Sequence, residues 1–302
     1  MENKKAVVLL STYNGEEYIG EQLKSLLAQT YKNLEIRIRD DGSTDKTVEV
    51  IQSFHSDKIY LETGKNMGYP EGFFQLLQKN VEGDYFFFCD QDDKWYEDKV
   101  VRAVSALEKE GNEQPVLYAS AFDYCDEKLN FLRKSDRVKI GWELKDVCYQ
   151  CLTWGFTMAM NRCARDMMMS NLPPSKGAKD SWLLLICTAM GKVIYDEKST
   201  ASYRRHKETT SFGGSGSFGL LKYRIKRFWK GGALEKRRKM LEEFEALFGQ
   251  RLDTVDRKMI QLFVNKERRR STQLAKCFYP HRLRSTVWDE FQLRLMFLLG
   301  KI

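Results

Sequence analysis

Residues 85–95 read Tyr-Phe-Phe-Phe-Cys-Asp-Gln-Asp-Asp-Lys-Trp. The first five form a continuous apolar run, as a strand buried on both faces requires. The next four hold three carboxylates, Asp90, Asp92 and Asp93, which repel one another at neutral pH. A divalent cation would offset that repulsion, and Mg²⁺ or Mn²⁺ suits hard oxygen ligands. A solvated acidic turn capping a helix from Glu97 accounts for the same residues. An apolar run ending in a polar cluster occurs twice upstream. Ala6–Ser11 leads into Thr12, Tyr13 and Asn14, and the alternating Leu34–Arg39 leads into Asp40-Asp41-Gly42-Ser43-Thr44-Asp45. The last piece is also turn chemistry, with Ser43 or Thr44 able to cap a helix reaching about Phe54.

Helical spacing fills the intervals. Tyr18, Ile19, Leu23, Leu26 and Leu27 share a face, Pro70–Asn80 starts with proline, and Glu97–Lys109 buries Val100, Val101, Val104 and Leu107. Short strands are expected at Ile59–Leu61 and Val116–Ser120. Strands alternating with helices predict an α/β fold: a mostly parallel sheet flanked by helices, with ligands at the carboxyl ends of the strands. Further on, Phe156–Met160, Lys192–Tyr195 and Thr200–Arg204 read as strands and Asp180–Met190 as a core helix. Residues 207–219 are a Gly/Ser-rich linker. Helices are expected at about 219–230, 234–248, 253–268 and 287–299. The predicted division is a catalytic domain, 1–212, and a helical basic C-terminal region, 213–302.

The 302-residue chain is 42% hydrophobic and 30% charged, which excludes a disordered or low-complexity protein. Its net charge of +8 is uneven: residues 213–302 hold 21 Lys/Arg against 9 Asp/Glu, leaving 29 against 33 in residues 1–212. Seven scattered cysteines make no disulfide framework and point to a reducing compartment. Cys148 and Cys151 form a lone C-x-x-C, read as buried thiols. With three histidines, His55, His206 and His281, metal chemistry must lean on carboxylates. No signal peptide and no run of 18 apolar residues is visible. Gly214–Gly219 matches G-x-G-x-x-G without a preceding buried strand, and no P-loop motif exists.

Taken together, S-T-Y-N-x-E, R-D-D-G-S-T-D and C-D-Q-D-D-x-W, in order and about 30 and 50 residues apart, resemble the family 2 glycosyltransferases. G-K-N-x-G at Gly64–Gly68, Trp154-Gly155, Lys179-Asp180 and Tyr203–His206 extend the resemblance over about residues 5–207. It implies the glycosyltransferase A fold, an inverting, nucleotide-sugar-dependent activity and a Mg²⁺ or Mn²⁺ cofactor. Carried over by position, Thr12, Tyr13 and Glu16 border the nucleotide. Asp41 faces the base with Asp40 nearby, Asp90 approaches the ribose, and Asn14, Asn66 and Gln91 join the donor site. Asp92 and His206 serve the metal, and Asp180 is the general base. Trp95, Trp154 and Gly155 are acceptor-side candidates. Many members carry Glu-Asp where this chain has Lys179-Asp180, so Asp180 is the sole carboxylate there.

The variant C-D-Q-D-D-x-W is most similar to rhamnosyltransferase-like enzymes of bacterial surface polysaccharides. It implies dTDP-L-rhamnose as donor, with a UDP-hexose such as UDP-glucose or UDP-galactose as the alternative, and a glycan or lipid-linked glycan acceptor. A non-catalytic membrane adaptor is the contrasting reading. Residues 222–230 (Lys-Tyr-Arg-Ile-Lys-Arg-Phe-Trp-Lys) and the apolar Val287–Leu299 have the composition of interfacial helices. They point to a membrane surface contacted through 220–302, and so to a cytoplasmic protein peripheral on the inner face of the cell membrane. Nucleic acid is not expected, since no binding motif accompanies the charge. An oligomer is left open.

Overall fold

The computed structural model describes residues 4–79, 82–138, 141–206, 232–267 and 269–302. The expected linker, the 219–230 helix, the 222–230 cluster, Gly214–Gly219 and the boundary at 212 lie outside them. The elements run β1 (Ala6–Thr12), α1 (Ile19–Leu27), β2 (Leu34–Asp40), α2 (Thr47–Gln52), β3 (Ile59–Thr63), α3 (Glu71–Gln78), β4 (Tyr85–Cys89), β5 (Lys94–Trp95), α4 (Lys99–Glu110), β6 (Val116–Cys125) and β7 (Phe131–Lys134). Then follow α5 (Leu144–Val147), a 3₁₀ turn (Gly155–Thr157), β8 (Ala159–Asn161), α6 (Arg162–Ser170), α7 (Lys179–Met190) and β9 (Lys192–Arg204). The tail supplies α8 (Gly232–Phe248), α9 (Thr254–Val264), α10 (Arg270–Cys277) and α11 (Val287–Leu298).

The strands make one sheet in the order β3-β2-β1-β4-β8-β6-β9-β5, with β7 paired to β6. β3, β2, β1 and β4 are parallel. In β1 and β4 the side chains are apolar on both faces because helices cover both. Val8, Leu10, Ile36 and Phe87 pack towards α1 and α4, while Val7, Leu9, Phe86 and Phe88 pack towards α3 and α7. The register sets the site: Thr12 lies beside Asp40, Asp40 beside Thr63, and Leu10 beside Cys89. The polar clusters after β1, β2 and β4 therefore emerge along one edge.

Three local expectations change. Ser43 and Thr44 do not cap α2. Ser43 is held by Asp40 and Asn14, and the Asp45 carboxylate accepts from the Thr47 N–H at 3.0 Å instead. The two short strands expected at 192–204 are one strand, β9, with register shifts opposite Ser120 and Ala121. The strand expected at Phe156–Met160 begins as a 3₁₀ turn, with the Thr157 hydroxyl donating to the Trp154 carbonyl at 2.7 Å.

Helix α7 is apolar all round its middle, Trp182 through Cys187, which requires cover on every side. The sheet covers one face and the tail helices another: Phe244 of α8 meets the Trp182 ring edge-on at 5.7 Å. Tyr149, after α5, packs edge-on against Phe263 of α9 and Phe297 of α11, both at 5.3 Å. Buried Arg237 of α8 donates to the carbonyls of Val147, Cys148 and Gln150, satisfying acceptors left open where α5 ends. The tail helices thus share the apolar core of the sheet's α7 side.

Candidate active site

After β1 and β2 the chain closes into two interlocked turns. Asp40 spends one oxygen on the N–H groups of Gly42 (3.1 Å) and Ser43 (2.9 Å) and the other on the Ser43 hydroxyl. Gly42 takes φ +80°, a conformation that suits glycine. Asp41 accepts from the N–H groups of Met67 and Gly68, both at 2.8 Å, and from Arg39 Nε at 3.2 Å. Both carboxylates are buried, and these hydrogen bonds brace the loops around them, the 64–68 loop included. The Asn14 side-chain carbonyl accepts from the Thr44 N–H, and Glu16 accepts from the Lys46 N–H. Tyr13 and Asn66 lie exposed on these loops.

Gln91 ties the acidic loop to the first turn. Its side-chain carbonyl accepts from Thr12 Oγ1 at 2.5 Å and Tyr13 N–H at 2.8 Å, and its amide donates to the Tyr13 carbonyl at 3.1 Å. Thr12, Tyr13 and Gln91 are therefore one unit across 78 residues of sequence. Burial raises the Asp90 carboxyl above its ordinary range; Lys179 opposes that rise, while Asp92 and Asp180 reinforce it. Asp90 thus senses both the acidic loop and the start of α7.

Asp92 and His206, 114 residues apart, meet at 2.9 Å between Oδ2 and Nε2. Arg204 at the end of β9 holds them in register. Its Nε donates to the Asp92 carbonyl at 2.9 Å, its backbone N–H to Asp93 Oδ1 at 3.3 Å, and its Nη2 to Glu21 at 2.5 Å. Tyr18 packs on the His206 ring at 4.7 Å. Among the described residues no three His, Cys, Asp or Glu side chains form a metal cage. A carboxylate and an imidazole side by side still fit a cation that takes its other ligands from water and diphosphate. Asp93 Oδ2 is buried without a hydrogen-bond partner, and burial together with the neighbouring Asp92 and Asp90 raises the Asp93 carboxyl well above its ordinary range, which favours its neutral form.

Asp180 opens α7. Its Oδ1 accepts from Lys179 Nζ at 2.8 Å and its Oδ2 from the Gly155 N–H at 3.1 Å, while the side chain stays 20% exposed. Trp154 lies next to it, 39% exposed, with its ring 5.0 Å from Phe122. Trp95 is a correction. At 2% exposure it packs against Phe87 with the Lys99 ammonium over its ring, so it offers no face to an acceptor. The reason is the short pairing of β5 with β9, which folds the residue inward. Arg204, Tyr18, Glu21 and Lys179 escaped the sequence reading as site residues. The signal for Lys179 was a cation opening a helix, against the helix dipole.

Residues 7–166 match the family described as glycosyl transferase family 2. An uncharacterised glycosyltransferase of Rickettsia typhi is 35% identical over 125 residues, covering 41% of this chain and 38% of that protein. A dTDP-rhamnosyl transferase of Shigella flexneri is 38% identical over 105 residues, 32% of this chain and 36% of the relative. A UDP-glucose-dependent β-1,3-glucosyltransferase of Escherichia coli is 32% identical over 103 residues, 34% and 41% of the two. The chain therefore aligns with about two fifths of the length of these relatives. The solved structure of residues 1–349 of TarS from S. aureus, in complex with UDP-GlcNAc, superposes with a TM-score of 0.54 at 16% identity, covering 98% of this chain and 91% of that one. That likeness establishes a shared α/β glycosyltransferase A fold, and with the match spanning more than half its length, this chain belongs to glycosyl transferase family 2.

Proposed function

We propose that the protein is an inverting glycosyltransferase that moves a sugar, L-rhamnose from dTDP-L-rhamnose, to a hydroxyl of a growing, lipid-linked bacterial surface glycan. The observation that carries the reading is the set of acids at the strand ends: Asp90 and Asp92 on the donor side, and Asp180 held by two donors beside an exposed Trp154. Asp180 accepts the proton of the acceptor hydroxyl, whose oxygen attacks the anomeric carbon in line as the nucleoside diphosphate departs. No covalent enzyme intermediate is needed. Asp92 and His206 would hold Mg²⁺ or Mn²⁺, which supplies positive charge to the departing diphosphate. Thr12, Tyr13, Glu16, Asn66 and Gln91 flank the nucleotide, and the Asp40 and Asp41 turns keep those loops in place. Trp154 offers an aromatic face to the acceptor sugar.

The dTDP-rhamnosyl relative from Shigella flexneri favours rhamnose, and the UDP-glucose-dependent relative keeps a UDP-hexose as the second donor to try. The deciding experiment is a thermal-shift panel of dTDP-L-rhamnose, UDP-glucose and UDP-galactose with Mn²⁺, followed by release of the nucleoside diphosphate. A true donor raises Tm by mass action. Asp180→Asn should bind that donor as the wild type does and lose turnover by 10³-fold or more, a loss on the order expected for a missing general base. A protein that neither binds nor turns over any of the three is not this enzyme, and an Asn variant with wild-type turnover moves the base elsewhere.

Lipid-linked acceptors place the reaction at a bilayer. Helix α11 buries Leu293, Met296 and Phe297 but leaves Trp288, Phe291 and Leu298 exposed on its other side. Residues 269–302 hold seven Lys/Arg against two Asp/Glu, which suits an anionic lipid surface. No helix among the described residues is long and apolar enough to cross a membrane. Peripheral attachment at the cytoplasmic face through this surface is part of the proposal.

A further inference from the structure

Lys179 is 1% exposed, and a buried ammonium is costly unless it is paired. Its hydrogen bond goes to Asp180 Oδ1 at 2.8 Å. Three aromatic rings enclose it, Phe73 at 4.0 Å, Phe88 at 4.8 Å and Tyr69 at 5.0 Å from ring centroid to Nζ, and its charge also reaches the Asp90 carboxyl. Such rings attract a cation, but an apolar side chain would fill the same cage at less desolvation cost. Helix stability does not call for a lysine here either, since a cation in the first turn opposes the helix dipole. Gly155 completes the pocket. A Cβ there would stand 2.6 Å from Lys179 Nζ and 2.7 Å from Asp180 Oδ1, so the backbone has been kept clear for this pair.

We infer that Lys179 is a positioning residue, which grips Oδ1 of the Asp180 carboxylate against the Gly155 N–H and so fixes the direction in which the base meets the acceptor hydroxyl. The inference rests on the reading of Asp180 as the base. With one oxygen held by Nζ and the other by a backbone N–H, rotation of the carboxylate is blocked from both sides. Misplacing a catalytic group by about 1 Å costs on the order of 10²-fold in rate.

The test uses the full chain and compares Lys179→Met, which fits the aromatic cage, with Lys179→Gln, which keeps a neutral N–H donor of similar reach. Activity is the release of dTDP from dTDP-L-rhamnose or UDP from UDP-glucose, whichever the wild type turns over. Binding is read with dTDP or UDP in the presence of Mn²⁺. The Met variant should keep its Tm and lose about 10²-fold in kcat, with any change in nucleotide Kd, passed on through the Asp90 carboxyl that Lys179 also faces, well below that loss. The Gln variant should fall between Met and wild type. Wild-type kcat in a folded Met or Gln variant overturns the inference, as does a loss that appears in Kd or Tm and not in kcat. Should the Met variant fail to fold, Gln alone carries the comparison. Asp180→Asn separates the two readings: if it is inactive while Lys179→Met is fully active, only the positioning role fails, whereas an active Asn variant removes the base assignment itself.

Discussion

Gly155→Ala adds one methyl group at the tightest point of the site, and its cost can be worked from the geometry. The glycine does not occupy a left-handed conformation, so alanine meets no backbone strain there, and the effect is steric alone. The new Cβ would lie 2.6 Å from Lys179 Nζ, 2.7 Å from Asp180 Oδ1 and 3.1 Å from Asp180 Cγ, against an ordinary contact of 3.4 Å or more. The ammonium and the carboxylate must therefore withdraw by about 0.7–0.8 Å. Lys179 has little room to do so, because Phe73 and Phe88 enclose it. Asp180 is short and fixed at the first turn of α7, so the shift falls on the carboxylate direction. Overpacking of this kind destabilises by about 1–3 kcal/mol, and a displacement near 1 Å costs on the order of 10²-fold in rate. Steady-state turnover should drop accordingly, while nucleotide affinity, proposed to be set at Thr12, Tyr13 and Gln91, should change far less. Full turnover in a folded Gly155→Ala protein would mean that Asp180 is not where the proton is taken. An equal loss in nucleotide affinity would mean that the two halves of the site are not separable in this way.

Asp92→Ala removes the carboxylate that meets His206 at 2.9 Å, and should abolish the cation-dependent part of nucleotide binding and lower turnover by 10²-fold or more. Chelation of the wild type should reproduce that loss, and calorimetry with and without Mn²⁺ reads both. Lys99 is buried over Trp95 and donates to Thr200 Oγ1 at 2.9 Å, and burial pulls its amine down to about 7. The unfolded chain then binds a proton that the folded protein lacks between about pH 7 and 10.5, so stability contributed at this site rises with pH across that window. Lys99→Met should raise Tm at pH 7.5, with a gain that narrows towards pH 10, as differential scanning calorimetry would show. Phe291→Glu puts a charge into the exposed face of α11. It should abolish co-flotation with phosphatidylglycerol vesicles and leave turnover of a soluble acceptor unchanged; wild-type protein that ignores such vesicles but runs as a dimer would reassign that face to a second copy of the chain.

The donor half of the site is legible in the sequence because two periodicities coincide there. Apolar runs announce buried parallel strands, parallel strands put their ends on one edge, and turn residues at those ends have nowhere else to go. Even so, turn chemistry and ligand chemistry use the same side chains. Only the hydrogen bonds show Asp40 and Asp41 turned inward on Gly42, Ser43, Met67 and Gly68, while Gln91 reaches across to Thr12. The meeting of Asp92 with His206 follows from β9 running parallel to β6 and pairing antiparallel with β5, a long-range arrangement that no local pattern encodes. Trp95 was misjudged for the same reason.

The tail poses the sharper physical question. Amphipathic spacing says that a helix has an apolar face, but not what covers it. For α8 and α9 the cover is α7 and the α5 region, so Phe244, Phe248 and Phe263 extend the sheet's own core. That docking packs Phe244 and Phe248 against Trp182, near the start of α7, where Lys179 and Asp180 lie. The described tail helices are thus packed against the start of the helix that carries the proposed base. Helix α11 differs: Leu293, Met296 and Phe297 satisfy the inward face, and Trp288, Phe291 and Leu298 are left over. With Phe297 packed on Tyr149 and Phe263, aromatics among cations on the other side of α11 would, on a bilayer, set the height of the proposed base Asp180 above it. If that geometry selects acceptors, shortening the lipid-to-sugar spacing of a synthetic acceptor should lower kcat/KM on vesicles but not in detergent. Equal ratios in both would uncouple the outer face of α11 from acceptor choice.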